Sequence, residues 1–174
     1  MNADEGRSYL GETITVPLED GLSIQATIAY GDDSDVGRML VVCPPNPILG
    51  GDSENNVVQA LLEAAVREGG LGMTFDYRGV AEGRVGDTDL LTYWEELERA
   101  GDYDRIVEDS MRAIAAAQRE FGGVARPSLV GYSFGTLIAL RCAEKLALST
   151  VGGVSPPILE CDFAPLLDAF KTVH

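Results

Sequence analysis

Residues 12–18 alternate apolar and polar positions, as a half-buried strand does. Glu19-Asp20-Gly21 then signals a turn. Residues 22–30 alternate again, with Leu22, Ile24, Ala26, Ile28 and Tyr30 on one face. Together they predict an antiparallel hairpin. The pattern then changes. Met39-Leu40-Val41-Val42-Cys43 is a continuous apolar run, expected of a central parallel strand buried on both faces. It stops at Pro44-Pro45-Asn46-Pro47-Ile48-Leu49-Gly50-Gly51. Ser53 is placed to cap a helix in which Val57, Val58, Leu61, Leu62, Ala65 and Val66 recur at helical spacing, and Gly69-Gly70 closes it. Residues 71–76 form the next strand and leave it as the loop Asp76-Tyr77-Arg78-Gly79-Val80. Residues 80–101 begin polar and Gly-rich and then carry Leu90, Leu91, Tyr93 and Trp94, enough for a short helix over the loop edge. Asp102 is set to cap a longer helix to Phe121, with Ile106, Val107, Met111, Ile114 and Ala115 inside. A strand over 127–132, a helix over 134–146, a strand over 149–155 and a short helical turn over 163–170 complete the chain. Strands alternating with helices after an opening hairpin predict an α/β fold with a mostly parallel sheet. With no repeats or linkers, residues 1–174 read as a single domain.

Composition narrows the partners. The net charge of −15 argues against nucleic acid or an anionic membrane as a binding surface. No apolar run reaches membrane-spanning length and no leader pattern opens the chain. Cys43, Cys142 and Cys161 are scattered and odd in number, which suits a reducing cytoplasmic setting and small buried residues better than disulfides. They carry no metal-ligand spacing. Gly31-Asp32-Asp33-Ser34-Asp35 lacks the downstream bidentate acid of a calcium loop and reads as a solvated turn. No metal and no cofactor is expected; no G-x-G-x-x-G or P-loop follows the strand ending at Cys43.

The stretch richest in chemistry is Gly131-Tyr132-Ser133-Phe134-Gly135, between an apolar strand and an apolar helix. That context fits a nucleophile elbow, in which a serine sits at a strained corner and projects its hydroxyl above the sheet. Glycines two residues before and after Ser133 suit so tight a turn. The helix that follows aims free N–H groups at charge developing beside the hydroxyl.

Three segments together resemble the α/β-hydrolases, closest to the compact bacterial group of dienelactone hydrolase-like and short-chain esterase-like proteins. Pro44-Pro45-Asn46-Pro47-Ile48-Leu49-Gly50-Gly51, with Asn55-Asn56 beyond, is similar to that group's His/Pro-rich loop, although prolines and Asn46 stand where histidines are usual. Asp76-Tyr77-Arg78-Gly79-Val80 resembles its Asn-Phe-Arg-Gly-Val loop. Gly131-Tyr132-Ser133-Phe134-Gly135 resembles its elbow. The resemblance implies a serine hydrolase acting on a small-molecule ester or related acyl bond, with Ser133 as nucleophile. In this architecture one oxyanion donor is the N–H after the nucleophile, Phe134, and the other comes from the loop after the third strand. Pro44, Pro45 and Pro47 have no N–H, which leaves Asn46 and Ile48 as candidates. Arg78 either binds a substrate carboxylate or ties loops together through backbone carbonyls. Tyr93 and Trp94 either wall an acyl pocket or lie buried under a loop.

The base and acid are harder to find. The family's order is Ser, then Asp or Glu, then His, and only about 40 residues follow Ser133. Asp162 and the single histidine, His174, have that order, but a terminal residue is poorly held for catalysis. The expectation is therefore an α/β-hydrolase-like domain, C-terminally truncated, corresponding to the N-terminal two-thirds of the family. Such a chain is inactive or nearly so, with its last strand an exposed edge open to self-association. The alternative is a non-catalytic derivative that keeps the elbow as scaffold and binds a ligand or protein.

Overall fold

The computed structural model describes residues 9–122 and 126–170. Among the described residues eight strands and five α-helices follow one another in the order foreseen, with one addition. β1 (Leu10–Pro17) and β2 (Ser23–Tyr30) form the antiparallel hairpin, and Ile24, Ala26 and Ile28 of β2 are buried on one face. β2 pairs antiparallel with β4 (Leu71–Phe75). From there the sheet is parallel: β4 beside β3 (Met39–Cys43), β3 beside β7 (Ser128–Tyr132), and β7 beside β8 (Val151–Val154). The six-stranded order is β1-β2-β4-β3-β7-β8, which puts β3 and β7 inside the sheet and β1 and β8 at its edges.

The apolar run of β3 is continuous because both faces are covered. Met39, Val41 and Cys43 join the larger core with residues of α3 (Asp104–Phe121) and α4 (Gly135–Lys145). Val42 points the other way, into a second cluster with Val58 and Leu62 of α1 (Asn56–Arg67). The sandwich of helix, sheet and helix follows from that two-sided burial. No helix among the described residues is long and apolar enough to cross a membrane.

Two local expectations are corrected, besides the cap of α3, which Tyr103 precedes without a side-chain cap while Asp102 Oδ1 accepts only from the Asp104 N–H at 3.0 Å. Ser53 does not cap α1: Asn55 does, its side chain accepting from the Val57 N–H at 3.0 Å. The Ser53 N–H is instead taken by Asp76 Oδ1 at 2.8 Å, which ties the start of this segment to the loop after β4. The second correction lies in residues 80–101. Before its helix, α2 (Leu90–Ala100, capped by Asp89), the chain forms a small antiparallel hairpin of β5 (Arg84–Val85) and β6 (Thr88–Asp89). A short α5 (Ala164–Phe170) ends the described chain.

Candidate active site

β7, between β3 and the edge strand β8, carries the chain up to Tyr132, and α4 carries it back from Gly135. The corner between them is Ser133, whose φ of 52° lies in the left-handed region that side chains rarely adopt. The strain is held by close packing. A Cβ at Gly131 would lie 2.1 Å from the Gly135 carbonyl oxygen, and one at Gly135 would lie 2.1 Å from the Cys43 carbonyl oxygen. Only glycines let β3, β7 and α4 approach this closely. The Ser133 N–H donates to the Val154 carbonyl at 2.9 Å, and the Ser133 carbonyl accepts from the Thr136 N–H at 3.0 Å. The Thr136 hydroxyl closes the turn on the Gly131 carbonyl at 3.1 Å.

Ser133 and Tyr132 line a cavity of about 170 Å³ together with Pro45, Asn46, Gly51 and Asn55. The loop after β3 thus stands opposite the elbow. It tightens into a short 3₁₀ turn, Pro47–Leu49, that starts at Asn46. Asn46 is buried, and its carbonyl accepts from the N–H groups of both Leu49 and Gly51. Gly51 has no room for a side chain, since a Cβ would lie 2.6 Å from that same carbonyl oxygen. The two candidates for the loop-side oxyanion donor differ. The Ile48 N–H is already committed, donating to Asn46 Oδ1 at 3.1 Å. Among the described residues the Asn46 N–H and the Phe134 N–H meet no acceptor.

The remaining predicted residues lie elsewhere. Arg78 is 3% exposed and does not line the Ser133 cavity. Its Nε donates to Asp109 on α3 at 2.5 Å and its Nη1 to Asp20 in the β1–β2 turn at 2.8 Å. It therefore ties elements together through carboxylates, rather than through the carbonyls expected, and is not free for a substrate. Trp94 is fully buried under the elbow, with its ring 5.5 Å from Tyr77 and 5.7 Å from Phe134, so it supports the site rather than walling it. Asp162 is exposed, its carboxylate accepting from the Ala164 N–H at the start of α5, and it shares no cavity with Ser133. His174 lies outside the described residues.

Sequence reasoning missed the supports. Tyr77 is buried and donates its hydroxyl to the Pro44 carbonyl at 2.9 Å, fixing the base of the loop; burial raises its phenol well above the usual range. Glu98 on α2 accepts from Asn46 Nδ2 at 2.6 Å. Tyr103, beside Phe134, is pushed up to about 12 by burial first and then by the Glu98 carboxylate. Burial also raises the Asp76 carboxyl, partly offset by the Ser53 N–H. Asp109 had no sequence signal except that it interrupts an apolar helix face. Among the described residues no group of three His, Cys, Asp or Glu side chains is placed to hold a metal ion.

No protein-family model and no curated protein matches the chain. Solved structures do. An α/β serine hydrolase homologue from Coxiella burnetii superimposes with a TM-score of 0.64 at 21% identity, over 92% of this chain and 67% of that one. A lidless α/β serine hydrolase from Xanthomonas campestris gives 0.67 at 25% identity, over 88% and 65%. A Pyrococcus furiosus esterase gives 0.63 at 16% identity, over 87% and 53%. The chain thus spans about two-thirds or less of the length of these proteins. With a mostly parallel sheet, an antiparallel opening hairpin and a strained serine between β7 and α4, the chain has the α/β-hydrolase fold.

Proposed function

We propose that this chain carries the nucleophile and oxyanion side of a serine hydrolase acting on an ester or related acyl bond of a small molecule. Ser133 Oγ attacks the carbonyl carbon, and the oxygen that becomes negative is met by the Phe134 and Asn46 N–H groups. The proton leaving Oγ needs a base, and the described residues contain no histidine. The observation that carries the reading is Ser133 at φ 52°, facing the loop after β3 across a common cavity. Strain of this kind costs on the order of 1–3 kcal/mol and persists where the surroundings over-determine it, which is a mark of functional corners.

The test is a fluorophosphonate probe followed by peptide mapping. Modification of Ser133, abolished in Ser133→Ala, supports the reading. Turnover of a short-chain p-nitrophenyl ester by the 174-residue chain is expected to be small. A serine without its base retains only about 10³–10⁴-fold over water. Robust turnover that disappears in Ser133→Ala refutes that low-activity expectation, and loss of the same turnover in His174→Ala makes the terminal histidine the base. One observation favours a second reading, a non-catalytic ligand- or protein-binding derivative: the Asp162 carboxylate is engaged by the Ala164 N–H, and it shares no cavity with Ser133. A folded chain that never takes up the probe even at raised pH, where hydroxide takes the Oγ proton, decides for that alternative.

A further inference from the structure

We propose that Glu98 is a positioning residue for the oxyanion side of the Ser133 site, acting through Asn46. The inference rests on the serine-hydrolase reading above and adds to it a residue that no motif contains.

The Asn46 carboxamide has a donor end and an acceptor end, and each is held by a group that allows one orientation only. The Ile48 N–H can only donate, and it takes Oδ1 at 3.1 Å. The Glu98 carboxylate can only accept when ionised, and it takes Nδ2 at 2.6 Å. The second bond is short and involves a charged acceptor, the stronger kind. Asn46 is 6% exposed, so an amide end left without a partner there would be costly. Across 52 residues of sequence, α2 therefore sets the rotamer of a side chain in the loop after β3.

That rotamer decides which N–H remains available. Pro44, Pro45 and Pro47 have none. With the Asn46 side chain locked, Ile48 is occupied, and the main-chain N–H of Asn46 is the one left over on the cavity shared with Ser133. Glu98 does not line that cavity and touches no reacting atom. Its own position is set by α2, which is anchored by buried Trp94 against Tyr77 and Phe134. Removal of the carboxylate frees Nδ2, lets the Asn46 side chain turn to water, releases Ile48 and moves the donor. Errors of about 1 Å in such a donor cost about 10²-fold in rate.

Glu98 is exposed, so its replacement leaves the fold intact. Two measurements test the proposal on the wild type, Glu98→Ala, Glu98→Gln and the neighbouring control Glu95→Ala. The first is amide hydrogen exchange at Ile48. Exchange is expected to quicken about fivefold to tenfold in Glu98→Ala, the change carried by one net hydrogen bond. It should stay at the wild-type rate in Glu98→Gln, whose side-chain carbonyl still accepts from Asn46, and in Glu95→Ala. The second is modification of Ser133 by a fluorophosphonate, analysed as kinact and KI. Glu98→Ala is expected to lower kinact about 10- to 100-fold with KI unchanged, and Glu98→Gln to restore it. Unchanged Ile48 exchange in Glu98→Ala overturns the clamp. Quickened exchange with unchanged kinact overturns its role at the site. A wild-type chain that takes up no probe even at raised pH, where hydroxide takes the Oγ proton, overturns the serine-hydrolase reading and the positioning role with it, while the exchange data still decide whether Glu98 holds Asn46.

Discussion

Ser133 occupies a left-handed corner without being glycine, and its neighbours Gly131 and Gly135 cannot be anything else. These facts predict opposite outcomes for substitutions two residues apart. Gly131→Ala forces a Cβ to within 2.1 Å of a main-chain oxygen, so strand and helix must separate. Overpacking typically costs about 1–3 kcal/mol, and against rigid backbone the upper end or beyond is expected. Ser133→Gly removes left-handed strain of about 1–2 kcal/mol and adds about 0.5–1 kcal/mol of chain entropy, so it should unfold no more easily than Ser133→Ala while lacking the hydroxyl. Urea midpoints decide both: a Gly131→Ala protein as stable as wild type, or a Ser133→Gly protein clearly weaker than Ser133→Ala, contradicts the account. The elbow was legible because it requires glycines at fixed offsets from one serine. The loop-side donor was legible only in part. Proline chemistry narrowed it to Asn46 and Ile48, but the choice between them depends on a side-chain bond to Asn46 and on Glu98 far along the chain. Nothing local in the sequence encodes that contact.

Elements were read well where burial dictated their pattern. β3 is apolar throughout because helices cover both its faces, and β2 alternates because its position in the sheet favours one. β5 and β6 escaped because strands of two residues carry no period. The start of α1 was misplaced by two residues because Ser53 and Asn55 are both good caps, and Asp76 removes Ser53 from the contest. Asn55→Ala should therefore cost about 1 kcal/mol, and Ser53→Ala should not show a cap's loss. Arg78 exposes a similar limit. Its place on a loop left a substrate carboxylate and a tie between loops both open; it is the tie, joining the β1–β2 turn, the loop after β4, and α3 through Asp20 and Asp109. Loss of one member of a buried pair typically costs about 3–5 kcal/mol, so Arg78→Met should be strongly destabilising, and adding Asp109→Leu should recover part of the loss. Asp20 adds a pH dependence. Burial opposes its charge, but hydrogen bonds from Arg105 and Arg78 outweigh that and hold its carboxyl well below the usual carboxylate range. A carboxyl depressed on folding contributes stability above its unfolded value and loses it as pH falls through the folded one. The stability difference between wild type and Asp20→Asn should thus be constant down to about pH 5 and shrink only below the ordinary value of about 3.9. A difference that fades already near neutrality would show the Arg78–Asp20–Arg105 cluster to be held by something other than charge.

At the scale of the molecule two opposing properties meet at β8. Among the described residues its outer edge pairs with no strand, and beside it lies an apolar cavity of about 360 Å³ lined by Leu140, Val151, Phe163 and Leu167, with Ile158 at its rim. Leu159, nearby, is 98% exposed. An open strand edge with apolar surroundings is a template for a second strand, and the reading of the last strand as a self-association site rests on it. Against association stands a net charge of −15, which makes two copies repel each other. Repulsion is screened by salt while strand pairing is not. Association should therefore be weak at about 0.01 M salt and grow toward about 1 M, as the Debye length falls from about 30 Å to about 3 Å. Sedimentation velocity across that range measures it. The same edge offers a clean block. A Cβ at Gly152 meets only Val130 Cγ2 at 3.9 Å, so a side chain is tolerated, whereas one at Gly153 would press within 2.5 Å of Thr136 Cγ2. Gly152→Lys places a charge on the edge without disturbing α4 and should keep the protein monomeric at every salt concentration. Association that persists in Gly152→Lys, or that weakens as salt rises, would move the contact away from β8.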